Sequence, residues 1–235
     1  MRRALAGALI LLAPVGSACR SARLAEGSAA APAWGLSAAD LARQYLYRVE
    51  LHTASEAATL RLALRLWSAE RFELRAADAL GRAAWRLEVD GAEAVWSDAR
   101  GANRCRIAAR AESALPALRL PLAPAALPPL LLGRVPVAPV PVAVWPATGE
   151  ARFRDARGRT WWVRLAAGVP AAWRLDLAPD SVISWRRDGA RAKLSVASEA
   201  FEIEWRETRS EALRAAPAPW SVERDLPFCR DADVP

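Results

Sequence analysis

The feature that most constrains this chain is an alternation of period two that recurs between residues 60 and 206. Leu60, Leu62, Leu64 and Leu66 alternate with Arg61, Ala63, Arg65 and Trp67, and Phe72 and Leu74 with Arg71, Glu73 and Arg75. Trp85, Leu87 and Val89 alternate with Arg86, Glu88 and Asp90; Trp161, Val163 and Leu165 with Trp162 and Arg164; Trp173, Leu175 and Leu177 with Arg174 and Asp176. Phe201, Ile203 and Trp205 alternate with Glu202, Glu204 and Arg206. On a helix these charges would fall all round the cylinder. On a strand they share one face and the apolar residues share the other. Each run therefore reads as a half-buried antiparallel strand, wet on one side.

Turn chemistry separates the runs at short spacing: Ala79-Leu80-Gly81, Asp90-Gly91, Arg100-Gly101, Arg157-Gly158 and Asp188-Gly189. The spacing predicts a mainly β chain of roughly ten or eleven strands in one meandering antiparallel sheet. A single sheet of that width curls. Two departures from the pattern are expected. Ser37 to Tyr45 carries a cap residue, Asp40 three positions on, and Leu41 and Tyr45 at spacing four, which predicts a short helix. Residues 110–148 hold nine of the seventeen prolines between Pro116 and Pro146. Within them residues 124–134 (PAALPPLLLGR) predict an apolar helix ended by Gly133, with Leu127, Leu130 and Leu131 along one side. A helix this apolar needs cover, and the concave side of a curled sheet supplies it.

Eleven tryptophans are unusual in 235 residues, and Trp85, Trp161, Trp173 and Trp205 fall on predicted apolar faces. Aromatic side chains make wide, rigid walls, so the four are expected to line an apolar cavity together with the helix leucines. Plain core filling is the alternative for each of them alone.

The N-terminus reads as an address. Arg2 and Arg3 precede an apolar stretch from Ala4 to Val15, and Gly16, Ser17 and Ala18 lead to Cys19. Residues 1–18 are expected to be a secretory signal. A cysteine directly after small residues resembles the lipobox of bacterial lipoproteins, with Gly16 where an aliphatic residue is usual. That resemblance implies an acylated Cys19, a membrane anchor worth about 0.8 kcal/mol per buried methylene. Arg20 after it favours the outer membrane, and residues 19–37 suit a flexible tether. Loss of residues 1–18 removes two arginines and no acid, so the balance of 33 basic to 26 acidic residues falls from +7 to +5. Cys105 and Cys229 remain; in an oxidising compartment they can pair, two free thiols being the other outcome.

The function classes that need a cluster of reactive side chains find little here. There is one histidine, His52, in a strand-like stretch where a hydrogen-bonded structural role is expected. The sequence has no G-x-S-x-G, H-E-x-x-H, C-x-x-C, G-x-G-x-x-G or P-loop pattern. No enzyme activity, metal or cofactor is expected, and an envelope hydrolase is the weakest reading. All but one of the 33 basic residues are arginines, interleaved with acids, and export argues against nucleic acid.

Several segments resemble the LolA/LolB-like family, and the LolB outer-membrane lipoprotein receptors within it. The elements are the cysteine at 19, a following helix, the segment RLWSAERFELRAADALG (65–81), the segment LPLAPAALPPLLLGRVP (120–136) and residues 152–163 (RFRDARGRTWWV). Together they cover most of residues 40–206, and the tail 207–235 has no counterpart. The resemblance implies a half-open β-barrel over residues 38–206, closed by helices, that holds the acyl chains of lipoproteins. It also implies a monomer that receives cargo from a periplasmic LolA-like carrier and inserts it into the outer membrane, with Leu80 entering the bilayer. A LolA-like lipoprotein carrying another lipid, or an envelope scaffold, is the alternative.

Overall fold

A computed structural model describes residues 35–110, 122–137, 140–145, 149–167, 169–178, 181–197, 200–214 and 225–229. The expected signal, Cys19 and most of the expected tether lie outside the described residues. Every alternating run is a strand. Among the described residues the chain forms β1 (Arg43–His52), β2 (Ala57–Ser68), β3 (Arg71–Asp78), β4 (Ala83–Asp90), β5 (Glu93–Asp98) and β6 (Arg104–Ala108). The helix α1 (Leu127–Leu131) follows. Then come β7 (Val140–Trp145), β8 (Glu150–Arg154), β9 (Thr160–Ala166), β10 (Val169–Ala178), β11 (Ser181–Asp188), β12 (Arg191–Val196) and β13 (Phe201–Ala212). The thirteen strands exceed the ten or eleven expected, because short strands such as β6 and β8 carry too few residues to show a period.

All thirteen belong to one antiparallel sheet, in the order β6-β5-β4-β3-β2-β1-β13-β12-β11-β10-β9-β8-β7. Two sequential meanders, β1 to β6 and β7 to β13, are joined in the middle, where β1 pairs with β13 from Arg43 opposite Ala212 to His52 opposite Glu202. The free edges are β6 and β7, which are neighbours in sequence. The connection between them must cross from one edge of the sheet to the other, and α1 lies within it.

One face of the sheet is buried from β6 to β8. Register places Leu87 beside Leu74 beside Leu64 beside Tyr45, and Val49 beside Trp205. The row continues through Leu194, Trp185, Trp173 and Val163. These residues form a single core with Leu127, Leu130 and Leu131 of α1. One five-residue helix cannot cover thirteen strands, so most of this face is covered by the sheet itself: the sheet curls, and α1 fills the remaining concavity.

Three expectations are corrected. The segment from Ser37 makes only a single 3-10 turn, Ala38–Asp40, in which Asp40 Oδ2 accepts from the Ser37 N–H at 2.8 Å and the Ser37 hydroxyl at 2.7 Å. The cap is real, but Ala42 adopts φ +53° and the chain enters β1 one residue later. Tyr45 belongs to the period-two set Tyr45, Tyr47, Val49, all buried, which outweighs its spacing from Leu41. Second, the sheet does not stop at residue 206, since β13 runs to Ala212 and pairs with the start of β1. Third, His52 is an exposed side chain at the end of β1, with no hydrogen bond from its ring among the described residues.

The tail from Leu226 to Cys229 lies along the β6 edge. Arg106 N–H donates to Pro227 O at 2.8 Å and Cys229 N–H to Arg106 O at 3.0 Å. The Arg106 guanidinium sits over the Phe228 ring. A disulfide joins Cys105 and Cys229, Cα atoms 4.9 Å apart. The tail so covers a strand edge that would otherwise offer unpaired backbone groups to another chain.

Candidate functional site: a sealed apolar seam and a leucine-tipped rim

The helix owes its shape to the proline pair. Pro124 opens a 3-10 turn, Pro128 and Pro129 occupy the first turn of α1, where a missing N–H costs nothing, and Gly133 at φ +72° ends it. Gly133 N–H returns to Leu130 O at 3.0 Å and Arg134 N–H to Pro129 O at 2.8 Å. The Leu131 carbonyl, left over at the helix end, accepts from the Trp205 indole N–H at 3.1 Å. Trp205 thereby ties α1 to β13.

Leu127, Leu130 and Leu131 face the sheet, and with Val49, Leu62, Leu74, Leu194, Ile203 and Trp205 they line a wholly apolar seam. Its volume is about 20 Å³, room for roughly one water. Among the described residues the helix leucines fill the space between α1 and the sheet, and the wide cavity expected from the tryptophans is not seen there.

The four predicted tryptophans divide. Trp205 lines the seam. Trp161 and Trp173 are buried in a separate cross-strand row with Phe153 and Trp185, ring centroids 5.1 to 6.1 Å apart. Trp85 is buried on β4, opposite Ala76 and Asp98 and outside the seam's lining. Trp185 was missed although its period was readable, since it alternates with Ile183; Phe153 lies on the five-residue β8, too short to show one. The indole N–H groups of Trp173 and Trp185 are buried without an acceptor among the described residues.

Leu80 stands at the other feature of interest. It is 80% exposed, at the tip of the turn between β3 and β4. Asp78 Oδ1 accepts from the N–H groups of Leu80 and Arg82, both at 2.9 Å, and Asp78 Oδ2 from Arg82 Nε at 2.6 Å. Gly81 N–H closes the turn on Asp78 O at 2.9 Å, with φ +85° that glycine supplies freely. The same device recurs twice. Asp98 holds Arg100 N–H and Ala102 N–H, with Gly101 closing the turn. Asp155 holds Arg157 N–H and Arg159 N–H, with Gly158 closing the turn. In the antiparallel order these turns, after β3, β5 and β8, lie at one end of the sheet and form part of a common rim.

The pattern Asp-Ala-x-Gly thus occurs at 78–81, 98–101 and 155–158, a repeat the sequence displays and the strand-centred reading overlooked. Its third residue is Leu80, Arg100 or Arg157, and all three are exposed. The turn geometry is indifferent to that side chain. Leucine at 80 is therefore not there for folding. The carboxylates are: N–H donors from Arg82, chiefly its backbone, hold Asp78 below the usual aspartate range. Burial pushes Asp155 up, but the Trp161 and Arg159 donors outweigh it and leave its pKa lowered.

Among the described residues no group of three or more His, Cys, Asp or Glu side chains could hold a metal ion, and no helix is long and apolar enough to cross a membrane. No protein-family model matches the chain, and no curated protein matches it by sequence. Solved structures do match in fold. A LolA superfamily protein from Nitrosomonas europaea superposes with a TM-score of 0.51 at 10% identity, over 76% of this chain and 88% of that one. A domain named for outer membrane lipoprotein sorting, from Vibrio parahaemolyticus, gives 0.47 at 11% identity, over 75% of this chain and 87% of that one. A DUF1329 family protein from Desulfovibrio piger gives 0.42 at 8% identity, over 74% of this chain and 87% of that one. At 10% identity what this chain shares with the Nitrosomonas europaea protein is the fold, a LolA-like open antiparallel β-sheet.

Proposed function

We propose that this chain is a lipid-anchored receptor of the LolB type. In this reading Cys19 carries the acyl anchor on the periplasmic face of the outer membrane, and the seam beneath α1 opens to take lipoprotein acyl chains from a soluble LolA-like carrier. The Leu80 rim then enters the acceptor leaflet as the cargo leaves. No bond is made or broken, so the steps are transfers of apolar surface: each is driven by about 25 cal/mol per Å² taken out of water.

The observation that carries the proposal is the exposed Leu80 on a turn whose two counterparts carry arginine. A leucine that folding does not use, on the rim of a lipid-carrier fold, supports a membrane-contacting role. The test is transfer of a labelled lipoprotein from the loaded protein to phospholipid vesicles, comparing wild type with Leu80→Glu and Leu80→Arg. The expected result is unchanged cargo binding with loss of delivery, since a charge at that depth is costly in a bilayer. Normal delivery by both variants would remove Leu80 from the mechanism and favour a carrier of another lipid.

A further inference from the structure

The wet face of the sheet breaks a rule of cross-strand pairing. Arg48 on β1 stands directly opposite Arg206 on β13 and directly opposite Arg61 on β2, and Arg206 stands opposite Arg191 on β12. Four arginines therefore run side by side across four neighbouring strands. Like charges in such positions are about 4.5–5.5 Å apart at Cβ and destabilise the sheet. Carboxylates relieve only part of the row: Glu50 meets Arg48 at 3.4 Å and Glu204 meets Arg191 at 3.1 Å. Arg61 and Arg206 have no carboxylate partner among the described residues.

The row borders a groove of about 690 Å³ on this face. Ala63, Ala77 and Ala83 line it together with Leu46. Arg48, Arg61, Arg75 and Arg206 wall it, with the hydroxyl-bearing Thr59 and Thr208 beside them, and no acidic residue lines it. Arg75 is held from outside the groove by Glu73 at 2.5 Å. At its upper end the groove reaches Ala79 and Gly81, the two neighbours of Leu80 in the exposed turn. A second basic concavity of about 740 Å³, around Arg164, Arg174, Arg186 and Lys193, includes Glu150 and Glu202 and lies on the far strands β8 to β13. The acid-free groove is the one continuous with Leu80.

We infer that this groove binds the anionic headgroup of a membrane phospholipid, so that the arginine row and Leu80 engage the same leaflet together. A phosphate supplies the counter-charge that Arg61 and Arg206 lack, and a groove wall of guanidinium forks matches its oxygens. The inference names a lipid partner for the face beside Leu80 and rests on the membrane-contacting reading of that rim. It does not depend on acyl-chain cargo.

The test is vesicle flotation of the full chain carrying Cys19→Ser, so that no acyl anchor contributes. Vesicles of phosphatidylcholine alone are compared with vesicles containing phosphatidylglycerol. Stronger binding to the anionic vesicles, weakened by salt, is expected. Arg61→Glu with Arg206→Glu should cut the anionic-lipid component by about tenfold or more, because each arginine near such a surface contributes a several-fold factor. Leu80→Glu should weaken binding to both vesicle types, so failure of the rim and failure of the groove give different patterns. Arg164→Glu with Arg186→Glu should change little. Folding is controlled by thermal unfolding, where the Arg61/Arg206 variant should melt no lower than its parent, since it relieves repulsion. Addition of soluble glycerol phosphate should raise the parent's Tm and not the variant's. Equal binding to both vesicle types, an unaffected Arg61/Arg206 variant, or loss through Arg164/Arg186 instead would each overturn the inference.

Discussion

The closed seam sets a length threshold for any ligand that enters it. With about 20 Å³ between helix and sheet, an acyl chain enters only by displacing Leu127, Leu130 and Leu131, which are almost fully buried. Burial of each leucine is worth about 1.5–3 kcal/mol, so releasing all three to water costs at most about 5–9 kcal/mol. Each methylene that takes their place returns about 0.8 kcal/mol, which puts break-even at about six to eleven buried methylenes. A series of saturated fatty acids of increasing length, titrated against tryptophan emission, reads this directly because Trp205 lines the seam. Hexanoate should not bind measurably, and affinity should rise steeply once the chain passes the threshold. Leu130→Ala removes about 2 kcal/mol of the helix's hold and should lower the threshold by about two or three methylenes, while lowering fold stability by about 2–5 kcal/mol. An affinity that climbs by equal steps from the shortest acid, or a threshold unmoved by Leu130→Ala, would refute a helix-sealed site.

Three further outcomes are expected. Reducing the Cys105–Cys229 bond, or replacing both cysteines by alanine, opens a loop spanning 124 positions and should lower stability by up to about 5 kcal/mol in denaturant titrations, with exposure of the β6 edge. Asp155 has a lowered pKa in the fold, so its contribution is fully present above the ordinary aspartate value of 3.8 and is lost as pH falls through the folded-state value. Asp155→Asn should therefore cost about 1–3 kcal/mol at neutral pH and flatten the acid limb of the stability curve. Cys19→Ser should release the protein into the soluble periplasmic fraction when membranes are washed in high salt, which screens attraction to anionic lipid, whereas membrane association unchanged by that wash, without an acyl label on the wild type, would refute the anchor.

The strands and the helix leucines were readable because their signal is local: a period of two, a glycine in several of the tight turns, prolines ahead of three leucines. Leu80 was readable at its turn tip for the same reason. The pairing of β1 with β13 was not, since nothing near residue 45 refers to residue 210. The sealed state of the seam was equally hidden, because the sequence names wall residues and not how far the helix descends between them. The misread helix at Ser37 shows two local signals in competition. The capping pair is present, and the tyrosine alternation beyond it decided the outcome. The division of the tryptophans into a seam wall and a stacked row depends on which strand edges meet, which only register reveals.

The central seam between β1 and β13 has a consequence for how the protein is made. Its partners, such as Arg43 and Ala212, emerge at opposite ends of synthesis, so β1 has one unpaired backbone edge until nearly the whole chain exists. Each meander can assemble from neighbours in sequence, but union of the two waits for the last strand, and such distant pairing is slow to form. A molecule halted before residue 201 would present β1 and β12 as two bare edges, the kind of surface that recruits other chains. The proposed export, with the chain extended and kept apart from its fellows until its final strand has crossed, would suit that late closure.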